Sequence, residues 1–93
     1  MPRVGRRDVY IEAGLRVAEY GLEHLSFVNV GMRCGVSGAA VAYHFKDHGG
    51  FPALRRAVIE LAQRRGNHFV LGQLAAMRAL PEGQLFARVD RER

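Results

Sequence analysis

Cysteine is almost missing from this chain: Cys34 is the only one in 93 residues. An internal disulfide is therefore excluded, and Cys34 is expected to be a buried, reduced thiol in a cytosolic setting. No apolar run approaches the ~20 residues that cross a bilayer as a helix. The basic start Met1-Pro2-Arg3-Val4-Gly5-Arg6-Arg7 leads into no apolar segment, so it does not read as a signal peptide. Internal repeats and low-complexity segments are lacking. So are paired carboxylates, a nucleophile–base order and a glycine-rich phosphate loop after a strand, and no enzyme chemistry is expected. Neither a metal nor a cofactor is expected. His44 and His48 stand four apart, a spacing zinc uses on a helix, but Gly49-Gly50 ends the helix and no third ligand is suitably spaced.

The apolar fraction of 48% is too high for a disordered chain, and the length suits one small domain whose limited core gains from a partner subunit. Net charge is +5 with a pI near 10.3, which fits a nucleic-acid partner. The excess is uneven. Residues 1–48 carry +1 and residues 49–93 carry +4, the latter mostly from Arg55, Arg56, Arg64, Arg65 and further arginines in the tail.

The most informative stretch is Val30-Gly31-Met32-Arg33-Cys34-Gly35-Val36-Ser37-Gly38-Ala39-Ala40-Val41-Ala42-Tyr43-His44-Phe45. It reads as helix, tight turn, helix. Gly35 suits a left-handed helix stop, and the Ser37 hydroxyl suits the cap of a second helix. So short a turn is the mark of a helix-turn-helix, whose second helix can enter a DNA groove.

These residues resemble the DNA-binding domain of the tetracycline-repressor (TetR) family of bacterial regulators. Ser26 takes the place of the Thr or Ser that opens the family's second helix. Val30-Gly31 stands for Ile-Ala, Cys34-Gly35-Val36-Ser37 for Ala-Gly-Val-Ser, and Tyr43-His44-Phe45 for the aromatic end of the third helix. Ala18-Glu19-Tyr20-Gly21 is similar to the Ala-Glu-x-Gly that closes the first helix. The likeness spans roughly residues 6–60, with His48 where Lys is usual and Phe51 where Leu usually opens a fourth helix. It implies double-stranded DNA as partner, with Ser26, Ser37, Tyr43, Lys46 and His48 on the phosphates. Base reading then falls to Gly38, Ala39 and Ala40, with Val28, Asn29, Arg33 and His44 beside them. The family continues into a longer ligand-binding and dimerisation domain. Here 28 residues follow Arg65, too few to enclose a drug-sized pocket, so no small-molecule inducer is expected.

In chain order, residues 1–6 read as a flexible basic arm, with Arg3, Arg6 and Arg7 able to reach phosphates or a minor groove. Residues 7–50 form the helix-turn-helix head. Its first helix, 7–21, shows Val9, Tyr10, Ala13, Val17 and Tyr20 on one face and stops at Gly21, with Leu22 and Leu25 as core residues in the connection. A second helix is expected at 27–34 and a third at 38–45, with Val41 and Phe45 facing the core. Gly31 is expected to let another helix approach closely. Residues 51–93 are the C-terminal helices. Phe51-Pro52 opens one, with Pro in the first turn, and Gly66-Asn67 breaks the chain before a helical pattern over 68–80. Their apolar stripes exceed what one small domain covers. They are expected to build a homodimer through Leu54, Val58, Leu61, Phe69, Val70, Leu74 and Met77.

The fold expected is all-α, a small homeodomain-like three-helix head followed by one or two further helices. The function expected is a cytoplasmic, nucleoid-associated transcriptional regulator, a homodimeric repressor. Gly38-Ala39-Ala40 offers no polar side chain to a base edge. That favours the other reading, a helix-turn-helix scaffold that binds a partner protein through its apolar C-terminal helices.

Overall fold

The computed structural model describes residues 6–79, and these are all-α. Five helices follow in order: α1 Arg6–Tyr20, α2 Phe27–Cys34, α3 Gly38–Phe45, α4 Phe51–Arg65 and α5 His68–Ala79, with short 3-10 turns at Leu22–His24 and Lys46–His48. No helix among the described residues is long and apolar enough to cross a membrane.

Helix α1 is the hub, packing on α2, α4 and α5. Its buried arc is accordingly wider than a single stripe: Ile11, Leu15 and Ala18 are buried along with Tyr10, Ala13 and Val17. Two residues expected on its apolar face, Val9 and Tyr20, are instead exposed, Tyr20 at 83%. At Gly14 the crossing with α4 is tight, since a Cβ there would stand 2.7 Å from Val58 Cγ2. The helix starts at Arg6, so that arginine belongs to α1 and not to an arm; Arg3 lies outside the described residues, as do Leu80 and the tail. Gly21 does not stop α1 through a left-handed backbone. Its φ of 166° is extended, which any residue adopts, and the chain passes directly into the 3-10 turn that buries Leu22.

Local chemistry fixes α2 and α3 where the sequence places them. Ser26 Oγ accepts from Asn29 N at 3.0 Å, and Ser37 Oγ accepts from Ala40 N at 3.1 Å. Gly35 takes φ 73° and closes α2, and Val36 N donates to Gly31 O at 2.9 Å. Val30, Val41, Phe45, Leu54 and Val58 form the fully buried centre with Leu15 and Val70. Phe27 stacks on Phe45 and meets Phe51 edge-on, with ring centroids 6.2 and 5.7 Å apart. Cys34 is half-buried against this core.

Helices α4 and α5 form a hairpin. Gly66 at φ 61° caps α4, and Asn67 Oδ1 accepts from Val70 N to open α5. The Asn67 amide also donates to Glu19 Oε2 at 2.7 Å. Gln73 stitches α5 to the end of α1. Its Nε2 donates to Ala18 O at 2.8 Å, which also accepts from Gly21 N, while its Oε1 accepts from Leu22 N just past the end of α1.

This packing corrects the interface expected from the stripes. Leu54, Val58, Val70 and Leu74 are buried within the chain's own core, and Leu61 is half-buried. Only Phe69 and Met77 of that set are exposed. The residues cover α1 and the 3-10 turn after it, a partner that lies too far along the chain for periodicity to reveal.

Candidate nucleic-acid interface

The first turns of α2 and α3 touch. A Cβ on Gly38, the first residue of α3, would stand 3.0 Å from the N and Cα of Val28 in the first turn of α2. Gly31, further along α2, lies under the turn itself: a Cβ there would stand 2.6 Å from Val36 O and 2.9 Å from Ser37 O. Gly31 thus admits the backbone of the turn, not another helix as expected. Gly38 is packed against Val28.

The outcome is two serine-capped helix starts side by side. Each serine oxygen accepts a backbone N–H, which leaves the hydroxyl hydrogen free to donate. The positive dipole ends of α2 and α3 add to one another there, an arrangement that suits an anion such as a phosphate.

Around this pair the expected contacts separate into two groups. Ala39, Ala40, Tyr43, Lys46, His48, Arg33 and Ser37 are exposed, and Tyr43 shows 70% of its surface. Lys46 Nζ lies 4.4 Å from the Tyr43 ring centroid, so ammonium and phenol are offered together at the end of α3. Arg6 and Arg7 are exposed in the first turn of α1, with the Arg7 guanidinium 5.3 Å from the Phe45 ring centroid.

The second group is occupied by the protein itself. His44 is half-buried, edge-on to Tyr10 at 5.6 Å and to Phe45 at 5.5 Å. Asn29 donates one side-chain N–H to His24 O at 2.6 Å, which fixes the amide's orientation. Ser26 is half-buried.

The sequence reading missed the apolar character of the remaining surface. Val28 is 59% exposed, Met32 is 73% exposed, and Val36 is also exposed. The spacing of Val28 and Met32, four apart on the side of α2 away from Val30, was a usable signal. Elsewhere, Pro52, Arg55, Arg56, Glu60 and Arg78 line an open cleft of about 420 Å³ between α4 and α5. Among the described residues no three metal-ligating side chains gather. No protein-family model, curated protein or solved structure matches the chain.

Proposed function

We propose that the chain is a small DNA-binding transcriptional regulator, a repressor of the TetR kind, that docks its α2–turn–α3 unit on double-stranded DNA. The observation that carries this reading is the contact between the two serine-capped helix starts at Val28 and Gly38. A phosphate held by Ser26, Ser37 and the helix ends fixes register, while Tyr43, Lys46 and His48 extend the backbone contact. The chain works as a homodimer through the outer side of α5. Phe69, Gly72, Ala75 and Ala76 are exposed there without charge, and Arg78 is the one charged residue of that helix.

The test is selection from a pool of random duplex DNA across a salt series. The expected result is enrichment of a two-fold-symmetric site, bound with a steep salt slope. Lys46→Gln should weaken binding to all sequences alike. No enriched sequence and a flat salt response would overturn the reading. They would favour the alternative, capture of a partner protein by the C-terminal helices, for which exposed Phe69 and Met77 speak.

A further inference from the structure

Two clefts adjoin at the start of α4, and one side chain lines both. The first is apolar and holds about 440 Å³. Leu22 and Leu25, both buried, form its floor, and half-buried Phe51 and exposed Met77 form its sides. Glu23 stands at its rim, with His24 3.7 Å from the carboxylate. The second is the cleft of about 420 Å³ between α4 and α5, lined by Arg55, Arg56 and Arg78 with one carboxylate, Glu60. Arg55 is common to the two. It is half-buried, and neither it nor Arg56 nor Arg78 makes an ion pair among the described residues. Arg16 and Arg65, by contrast, are both held on carboxylates.

A guanidinium at the edge of an apolar cleft suits a carboxylate, which accepts two of its N–H groups side by side where hydrogen bonds are stronger than in open water. Phe51 and Arg55 are four apart, so they stand one turn apart on one face of α4. A second helix laid along that face matches them with an apolar and an acidic side chain spaced by a turn. Nucleic acid would engage the arginines and leave the apolar cleft empty. A bilayer takes in protruding apolar side chains, whereas these leucines are recessed. Both clefts lie open along the surface, unlike the sites that enclose small molecules. We propose that the two clefts form one docking groove for an acidic amphipathic helix of a partner protein. An apolar side chain seats against Leu22, Leu25, Phe51 and Met77, and a carboxylate one turn away accepts from Arg55. No lining residue belongs to the α2–turn–α3 unit, so the groove stands or falls apart from the DNA-binding reading.

The probe is a fluorescently labelled, alanine-rich helical peptide of about 20 residues, with leucine and glutamate one turn apart on one face. Its counterparts carry glutamine for glutamate, lysine for glutamate, or serine for leucine. Binding to the intact chain is read by anisotropy. The leucine–glutamate peptide should bind about tenfold tighter than the glutamine and serine counterparts, and the lysine counterpart weakest of all. In Arg55→Gln the gap between the glutamate and glutamine peptides should close to within about twofold, a coupling that a general loss of fold would not produce. Met77→Ser, at an exposed position, should weaken the leucine peptides and leave the serine one unchanged. Equal binding of all four peptides, binding of none, or a glutamate preference that survives Arg55→Gln overturns the groove. Weaker duplex-DNA binding in Arg55→Gln assigns that arginine to nucleic acid, and lost self-association in sedimentation assigns the groove to a second copy. Either result also overturns the proposal.

Discussion

Two junctions pass directly from one α-helix to the next through a single left-handed glycine, and they serve opposite ends, whereas the link from α3 to α4 runs through a 3-10 turn and two glycines, Gly49 and Gly50. Between α2 and α3, Gly35 is left-handed and Val36 N donates to Gly31 O. Between α4 and α5, Gly66 is left-handed and Asn67 N donates to Ala62 O at 2.9 Å. The hydrogen-bond pattern is shared. The positions four residues before each glycine differ: Gly31 in the first, Ala62 in the second. Two residues, Val36 and Ser37, separate the first glycine from α3, and their backbone folds down onto Gly31. One residue, Asn67, separates the second glycine from α5, and the methyl of Ala62 is accommodated there, fully buried. The first junction lays α3 across α2 and leaves its outer side free. The second sends α5 back onto α1, where Asn67 and Gln73 fasten it. Capping sets where a helix stops, and the residues just past the cap set where the next one goes.

The largest expected effect breaks the first junction alone. In Gly31→Ala the nearest atoms are turn backbone, which cannot swing aside as a side-chain end does. We expect a loss of roughly 2–3 kcal/mol in thermal or denaturant unfolding, together with weakened DNA binding. Ala62→Gly should cost about 1–2 kcal/mol, through helix propensity and one buried methyl, and leave binding to DNA unchanged in the folded fraction. If Gly31→Ala is the milder of the two, the turn is looser than its contacts imply.

The caps provide the next contrast. Ser37→Ala removes one hydrogen bond at an exposed helix start and should cost about 1 kcal/mol. Asn67→Ala removes the cap and the bond to the Glu19 carboxylate together, for about 2 kcal/mol. Urea midpoints at constant slope measure both. A larger loss at Ser37 would reverse the ranking of the two junctions.

What the sequence disclosed follows the same division. The ends of α2 and α3 were legible to the residue because Ser26, Gly35 and Ser37 act on neighbours three to five positions away. The break at Gly66 and the Pro52 start were legible for the same reason. Side of burial was legible for Val41, Phe45, Leu22 and Leu25, which are buried as expected, and was missed in α4 and α5. Leu54, Val58, Val70 and Leu74 looked like a spare apolar stripe because α1, which they cover, lies some forty or more positions upstream. The Gln73 bonds to Ala18 and Leu22 span 55 and 51 positions, and nothing in the local pattern announces them. In the candidate interface, the residue types were readable but their availability was not. His44 has the right chemistry for reading a base and is packed against Tyr10 and Phe45, and Asn29 spends one of its two amide hydrogens on His24 O.

A smaller effect, of opposite sign, sharpens the comparison. Gly72 lies inside α5 with nothing among the described residues within 4 Å of where a Cβ would stand, and its φ is not positive. Gly72→Ala should therefore stabilise the isolated chain by about 0.5–1 kcal/mol, by helix propensity and a less flexible unfolded state. Among the described residues, glycine here serves no contact, unlike Gly31. If the outer side of α5 packs on a second copy, the added methyl should raise the dimer dissociation constant in sedimentation while the monomer gains stability. A gain in stability with unchanged self-association would place the dimer contact elsewhere.

The smallest effect concerns the ion pair that holds the second junction to α1. Arg65, the last residue of α4, meets Glu12 with Nη2 2.6 Å from Oε1 and Nη1 2.8 Å from Oε2, and Arg16 lies 3.2 Å from the same carboxylate. The first junction has no counterpart, since Arg33 makes no ion pair among the described residues. Hydrogen bonding from Arg65 holds the Glu12 carboxyl below its ordinary value of 4.5, against a weaker opposing push from burial and with help from both guanidinium charges. A carboxylate with a lowered folded value takes up its proton in the unfolded chain first. Its contribution is fully present above the ordinary value and fades as pH falls through the folded one. Both side chains are more than a third exposed, so water and salt screen the pair and its contribution stays small. Glu12→Gln should lower Tm slightly near neutral pH, lose that difference from the parent as the pH falls below the ordinary carboxyl range and through the lowered folded value, and lose it again in high salt. A deficit that persists in acid and in salt would mean that Glu12 acts by packing against α4. The second junction would then be held by shape and by Asn67 and Gln73, without help from charge.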